Sequence, residues 1–179
     1  MTRAAAIARV VRAAGCGAVL TTAVAAFAGM RGIVSESMPR GLYLSSAPSG
    51  MLRRGDTVEV CLPRPFAEIA RERGYLARGV FCSGSVQRIV KAVLAVPGDT
   101  VVVTGHGFVV DGRLMPNTAA RHRDSRGRPL APVAPGIYPV KAGTIWLFST
   151  RVPSSFDSRY FGAVPISTVR RRFHPLWTE

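Results

Sequence analysis

Ile89-Val90-Lys91-Ala92-Val93-Leu94-Ala95-Val96-Pro97-Gly98-Asp99 is the stretch whose reading governs the rest of the chain. A run apolar on both faces and stopped by a Pro-Gly-Asp turn reads as a buried strand. Lys91 is its only charge. Burial disfavours the ammonium form of lysine and lowers its pKa, which makes a neutral amine available as a general base near neutrality. The plainer reading is an edge strand whose lysine stem lies on apolar surface while its head reaches water.

The basic residues give Lys91 further weight. The 179 residues carry 24 Lys and Arg against 10 Asp and Glu, a formal net charge of +14. Only Lys91 and Lys141 are lysines; every other basic side chain is arginine. Arginine does not give up its proton in a protein, whereas a desolvated lysine does.

Outward from this strand the pattern is one of short β-type runs bounded by Gly and Pro. They are Gly41 to Ser46, Thr57 to Cys61, Val86 to Val96, Thr100 to Thr104, Phe108 to Val110, Ile137 to Val140, Thr144 to Ser149 and Val164 to Val169. Asp111-Gly112 is a hairpin-type turn. The expected class is mainly β, with one short helix from Pro65 to about Arg73 that has proline in its first turn and Gly74 as its stop. Cys61 and Cys82 flank that helix, and in an oxidising compartment a disulfide between them closes the insertion; two separate buried thiols are the alternative. Arg121 to Arg128, with four arginines and Pro129, Pro132 and Pro135 behind it, reads as a mobile loop.

From Ala13 to Met30 no residue is charged, and Arg3, Arg9 and Arg12 precede the run. This length spans a bilayer as a slightly tilted helix, and the preceding arginines hold the N-terminus in the cytoplasm. The expected organisation is a cytoplasmic N-terminus over 1–12, a transmembrane anchor over 13–30 and an extracytoplasmic domain over 31–179. Ala26-Phe27-Ala28 also fits the cleavage site of a removable signal peptide, and a buried core helix is a further alternative. Ser37 lies seven positions after Met30, so a site at Ser37 is expected at the membrane surface.

Two more segments carry chemistry. In Ser35-Glu36-Ser37-Met38-Pro39, a serine beside a proline-stiffened turn is exposed as a nucleophile with a neighbouring hydroxyl to hold an oxyanion; a polar linker is the bland alternative. In Ser155-Phe156-Asp157-Ser158-Arg159-Tyr160-Phe161-Gly162, Asp157 and Arg159 are placed to pair and Ser155 to bond an amine, although alone this is a polar turn.

Together these segments resemble type I signal peptidases (leader peptidases), and among them the TraF-type peptidases of conjugative transfer. Ser35 to Pro39 is similar to the family's S-x-S-M-P box and Arg54-Gly55-Asp56 to its R-G-D box. Lys91 to Asp99 resembles K-x-x-x-G-x-P-G-D, and Ser155 to Gly162 matches S-x-D-S-R-x-x-G. Four boxes in order cover the chain from behind the anchor to about residue 162. Ala95 departs from the glycine of the lysine box, and a single Met stands between Ser37 and Pro39 where many leader peptidases have two residues. The resemblance implies a signal-peptidase-like β domain, Ser37 as nucleophile and Lys91 as general base. It implies that Ser35 supports the oxyanion hole, Ser155 orients the lysine, and Asp157 and Arg159 form a structural pair nearby. It further implies a membrane-tethered protein substrate, with maturation or cyclisation of a conjugative pilin subunit as the activity and general leader-peptide removal as the alternative.

Other classes fit less well. His106, His122 and His174 lack the surroundings of a Ser-His-Asp triad, no His/Cys/Asp cluster has metal spacing, and no phosphate loop follows a strand, so no metal or cofactor is expected. The net charge would suit a nucleic-acid module, but no aromatics are interleaved with Arg121 to Arg128 and export separates the domain from DNA. The expected partners are the protein substrate and membrane lipids, with no nucleic acid. A non-catalytic component of a secretion channel on the same scaffold is the remaining alternative.

Overall fold

The computed structural model describes Val24 and residues 29–149 and 151–179. The anchor expected over 13–30 lies outside the described residues except at Val24, Gly29 and Met30, and among the described residues no helix is long and apolar enough to cross a membrane. Met30 stands in a strand. It opens β1 (Met30–Ile33), which runs antiparallel to β2 (Gly41–Ser46) with Met30 opposite Leu44.

These two strands begin a seven-stranded sheet. It is completed by β3 (Thr57–Val60), β4 (Ile89–Ala95), β9 (Thr144–Phe148), β10 (Val164–Pro165) and β11 (Val169–Thr178), in the order β1-β2-β11-β3-β4-β9-β10. A four-stranded sheet is formed by β5 (Thr100–Thr104), β6 (Gly107–Val110), β7 (Arg113–Leu114) and β8 (Gly136–Pro139), in the order β7-β6-β5-β8. The short helices α1 (Arg64–Glu72) and α2 (Ser158–Phe161) complete the mainly β architecture of residues 29–179 as far as they are described.

β4 is apolar on both faces because it feeds two cores. Ile89 and Val93 pack with Val58, Val60, Ile145 and Leu147 and with Ala67 and Ala70 of α1. Between Val93 and Ala95 the register with β9 shifts by a bulge, and Leu94 and Ala95 join a second cluster with Val101, Phe108, Val110 and Trp146. Each such large side chain, fully buried, contributes roughly 1.5–3 kcal/mol. The bulge thus lets one strand supply both cores.

The turn behind β4 is held by charge. Asp99 accepts the Val96 amide at 2.8 Å and the Arg54 Nε at 2.6 Å, and Arg54 also reaches Asp111. Asp56 accepts the Arg53 amide at 2.7 Å and pairs with Arg172 of β11. The Arg54-Gly55-Asp56 segment therefore ties the turn behind β4 and Arg172 within β11 to the start of β3. Asp111 and Gly112, with φ of 48° and 76°, make the tight turn from β6 to β7.

Several sequence expectations need correction. The strand expected from Val86 begins at Ile89, because Val86 bridges Arg78 inside the insertion. The strand expected over Val164 to Val169 is divided into β10, a 3-10 turn at Ile166–Thr168 and the start of the ten-residue β11. Three arginines and Pro175 disguise β11, yet it lies between β2 and β3; Pro175 falls beyond the last pairing with β3, at Thr57. The helix runs one residue earlier at each end than expected, from Arg64 to Glu72.

The segment from Arg121 to Arg128 is tied down. Its Asp124 carboxylate accepts the Tyr75 hydroxyl at 2.6 Å, the Arg128 Nε at 2.6 Å and the amides of Arg126 and Arg128. Cys61 and Cys82 are disulfide-bonded, with Cα atoms 5.4 Å apart, and so close the insertion that carries α1. That insertion packs closely: a Cβ on Gly84 would lie 2.8 Å from the Ala67 Cβ.

Candidate active site

Ser37 occupies the turn between β1 and β2, and its backbone is pinned from several directions. Its carbonyl accepts the Ser149 hydroxyl at 2.7 Å. The adjoining Met38 side chain is buried with Ile33, Tyr43 and Phe173, and the Tyr43 hydroxyl donates to the Pro39 carbonyl at 2.8 Å. A proline-stiffened turn fastened at three successive residues leaves the half-buried Ser37 side chain little positional freedom.

Lys91 lies in the middle of β4 opposite Val58 and is buried at 5% exposure. Its Nζ donates to the Ser155 Oγ at 2.7 Å. Burial pushes the Lys91 pKa down from 10.5 to about 8; the Asp157 carboxylate opposes that shift and the Arg159 guanidinium adds to it. The Ser37 hydroxyl also donates to the Ser155 Oγ, at 3.4 Å. The three side chains therefore meet at one oxygen, and the described hydrogen bonds connect Ser37 to Lys91 through Ser155.

Ser155 is placed by the hub behind it. Asp157 caps α2 through the Arg159 amide at 3.1 Å and takes the Arg159 guanidinium in two bonds of 2.8 and 2.7 Å, both side chains being fully buried. Arg159 also donates to the carbonyls of Asn117 and Pro153 at 3.0 and 2.7 Å, while Asp157 accepts the Ser149 amide at 3.1 Å. The Ser158 Oγ accepts the Leu147 amide at 2.8 Å, which fastens the same segment to β9. A buried ion pair with its remaining donors and acceptors satisfied holds this loop in one geometry.

Ser35 is exposed, and its Oγ accepts the Ser37 amide at 3.2 Å. In this arrangement the Ser37 amide and the Ser35 hydroxyl, the latter expected to support an oxyanion hole, bond each other. Around these residues runs a cleft of about 470 Å³. It is lined by Gln87 to Lys91, Ser35 to Ser37, Tyr75, Arg121 and Arg123, among others.

Of the residues singled out in the sequence, Ser35, Ser37, Lys91 and Ser155 line this cleft and Asp157 and Arg159 stand behind Ser155, whereas the disulfide pair and Arg54, Asp56 and Asp99 do not line it. Ser149, Tyr43 and Ser158 were not among them. Each bonds a backbone group, that of Pro39 for Tyr43, of Leu147 for Ser158 and, 112 positions away, of Ser37 for Ser149, and no motif marks such a contact.

The comparison with known families turns on the whole length of the chain. The family described as "Signal peptidase, peptidase S26" matches residues 3–177. The chain belongs to the signal peptidase family, peptidase S26. Among the relatives of this family member, a plasmid transfer protein TraF of Escherichia coli is 39% identical over 170 residues, 93% of each chain. A conjugal transfer protein TraF of Agrobacterium tumefaciens (strain 15955) is 38% identical over 159 residues, 88% of this chain and 87% of the relative. A crystal structure of a signal peptidase I from Enterococcus faecalis V583 shares 20% identity over 67% of this chain and 94% of its own, with a TM-score of 0.38, too distant a likeness to add to these matches. This S26 family member is thus a peptidase with conjugative-transfer TraF homologues.

Proposed function

We propose that the chain is a membrane-anchored serine endopeptidase in which Ser37 is the nucleophile and Lys91 the general base. The observation that carries this reading is the Ser155 oxygen shared between Ser37 and a buried lysine whose pKa is lowered to about 8. At that value a substantial fraction of Lys91 is neutral near pH 7–8, and a neutral amine accepts the proton that a serine hydroxyl must lose to attack a carbonyl. Ser155 holds one amine proton and aims the lone pair toward Ser37. As the tetrahedral intermediate forms, the Ser37 amide and the Ser35 hydroxyl turn from each other to the oxyanion. Lys91, now protonated, donates to the leaving amine, and the acyl-enzyme is released by water or by an amine of the substrate.

The TraF relatives support an exported conjugative pilin subunit as the substrate. The expected anchor, shortened to end before Gly29, fits the sheet edge that follows, where Met30 pairs with Leu44 and Leu42 with Trp177, and where Leu42, Leu44, Leu176 and Trp177 are exposed. The catalytic domain then stands outside the cytoplasmic membrane, against its surface. Incubation of the purified full chain with the pilin candidate from the same gene cluster, read by intact mass, tests the proposal. Cleavage yields a shortened subunit, and cyclisation yields one lighter again by a single water. An unchanged mass with native chain, under conditions where a homologous TraF processes its own subunit, would overturn the pilin assignment.

A further inference from the structure

The cleft beside Ser37 contains more charge than the proposed chemistry uses. Four basic side chains line it, Arg88, Lys91, Arg121 and Arg123, against two acidic ones, Glu36 and Asp124. Arg88 is paired with Glu59 at 2.9 Å and lies over the Phe81 ring. Lys91 is bound to Ser155. Asp124 turns inward, at 4% side-chain exposure, onto Arg128 and Tyr75. Arg121 and Arg123 remain: both are exposed, and no ion pair among the described residues includes either.

These two arginines stand on a built element. The Asp124 amide donates to the Arg128 carbonyl at 3.0 Å and the Leu130 amide to the His122 carbonyl at 2.9 Å, so the segment is a hairpin. Asp124 ties it to Tyr75, Arg73 donates to the Pro129 carbonyl at 2.6 Å, and Arg128 returns a bond to the Arg73 carbonyl at 2.9 Å. At its base the Arg121 amide donates to the Tyr160 hydroxyl at 3.1 Å, two residues from Ser158 in the hub. The Arg123 guanidinium gives one bond to the Gly127 carbonyl at 2.8 Å, which leaves its other donors free. The only acid in the hairpin is thus consumed in holding it, and its arginines are presented to the cleft in a fixed frame.

We propose that Arg121 and Arg123 are specificity-determining residues that bind a carboxylate of the substrate polypeptide while the scissile bond lies at Ser37, an inference that rests on the peptidase reading of this cleft. Two sources supply that chemistry: an Asp or Glu side chain, or a free C-terminal carboxylate close to the cut. A guanidinium fork matches a carboxylate in two parallel hydrogen bonds, and a cleft with low-dielectric walls strengthens the attraction relative to open surface. Glu36 also lines the cleft and repels the same group, so a bound carboxylate is drawn to the two arginines.

The test uses the purified full chain in detergent micelles and a mass-spectrometric library of synthetic peptides, prepared with free and with amidated C-termini. Native enzyme is expected to enrich Asp or Glu at a fixed distance from the cut, or to lose cleavage on amidation; the two outcomes identify the side-chain and the terminal carboxylate respectively. For two exposed contacts the Arg121→Ala/Arg123→Ala double variant should lower kcat/KM for acidic peptides about tenfold, through KM, and leave neutral peptides unchanged. Arg121→Glu/Arg123→Glu should shift the preference to Lys and Arg. Arg126→Ala, on the same hairpin but not lining the cleft, should match native enzyme, and unfolding temperatures close to native show that the variants fold. Cleavage with no dependence on substrate carboxylates, or a dependence unaltered in both double variants, overturns the inference and leaves the peptidase reading intact. Absence of cleavage of every peptide overturns both.

Discussion

Replacing Lys91 by methionine should stabilise the folded chain while destroying its activity. In the fold the Lys91 pKa is about 8, against 10.5 for an unperturbed lysine, and desolvation is the main cause. Below both values the unfolded chain keeps a solvated ammonium whereas the folded chain must bury one. The difference of 2.5 units corresponds to about 3 kcal/mol of lost stability. The sign follows from proton counting. Between pH 8 and 10.5 the unfolded state binds more protons than the folded one, so stability rises with pH across that window, and the penalty is complete below it. Methionine has nearly the same shape and no charge, so Lys91→Met removes the penalty and sacrifices the single hydrogen bond to Ser155, worth about 1 kcal/mol. A net gain of about 2 kcal/mol is expected near pH 7, or roughly 4–8 °C in unfolding temperature for a chain of this size. By about pH 10 the penalty itself has fallen to about 1 kcal/mol, and the gain should vanish. Denaturation of the full chain in micelles, followed through the buried Trp146 under non-reducing conditions, measures this at both pH values. A variant no more stable than native at pH 7, or a gain that persists unchanged to pH 10, would refute the assignment of Lys91 as a buried amine of lowered pKa.

Lys91→Arg keeps the charge but cannot accept a proton; it should abolish cleavage, as should Ser37→Ala, while Lys141→Arg, exposed and outside the cleft, remains active. The native rate should rise with pH through about 8, as Lys91 deprotonates. Asp157→Asn leaves the Arg159 guanidinium buried without its counter-charge and should cost about 3–5 kcal/mol in a thermal or denaturant melt. Because Asp157 raises the Lys91 pKa, any residual activity of that variant should have its acid limb moved to lower pH. Loss of the Cys61–Cys82 bond through Cys61→Ser/Cys82→Ser should lower stability by about 3 kcal/mol, and non-reducing peptide mapping of native chain should recover the linked pair.

What could be read locally was read well. β2 and β5 have the bounds that their Gly and Thr starts and apolar alternation suggest, and the Asp111-Gly112 turn is where its two residues of positive φ require it. Lys91 stood out because a charge in an apolar strand contradicts its own surroundings, and α1 because proline and glycine mark its ends. Each of these signals lies within a few residues, in φ preferences and in the two-residue period of a strand. β11 was hidden because its arginines and Pro175 obscure that period; only its place between β2 and β3 makes it a strand. The doubly apolar face of β4 was visible, but the bulge that divides it between two cores depends on its register with β9. The arginines of 121–128 read locally as a mobile loop, and what ties the segment down is the Asp124 bond to Tyr75, 49 positions away. The candidate site follows the same division: the sequence names Ser37, Lys91 and Ser155, but Ser37 and Ser155 are 118 positions apart. Bringing them to one oxygen required strand pairing, the Asp157–Arg159 hub and the Ser149 bond to the Ser37 carbonyl, because contacts between distant segments are decided by which surfaces can be buried together and not by the residues beside them.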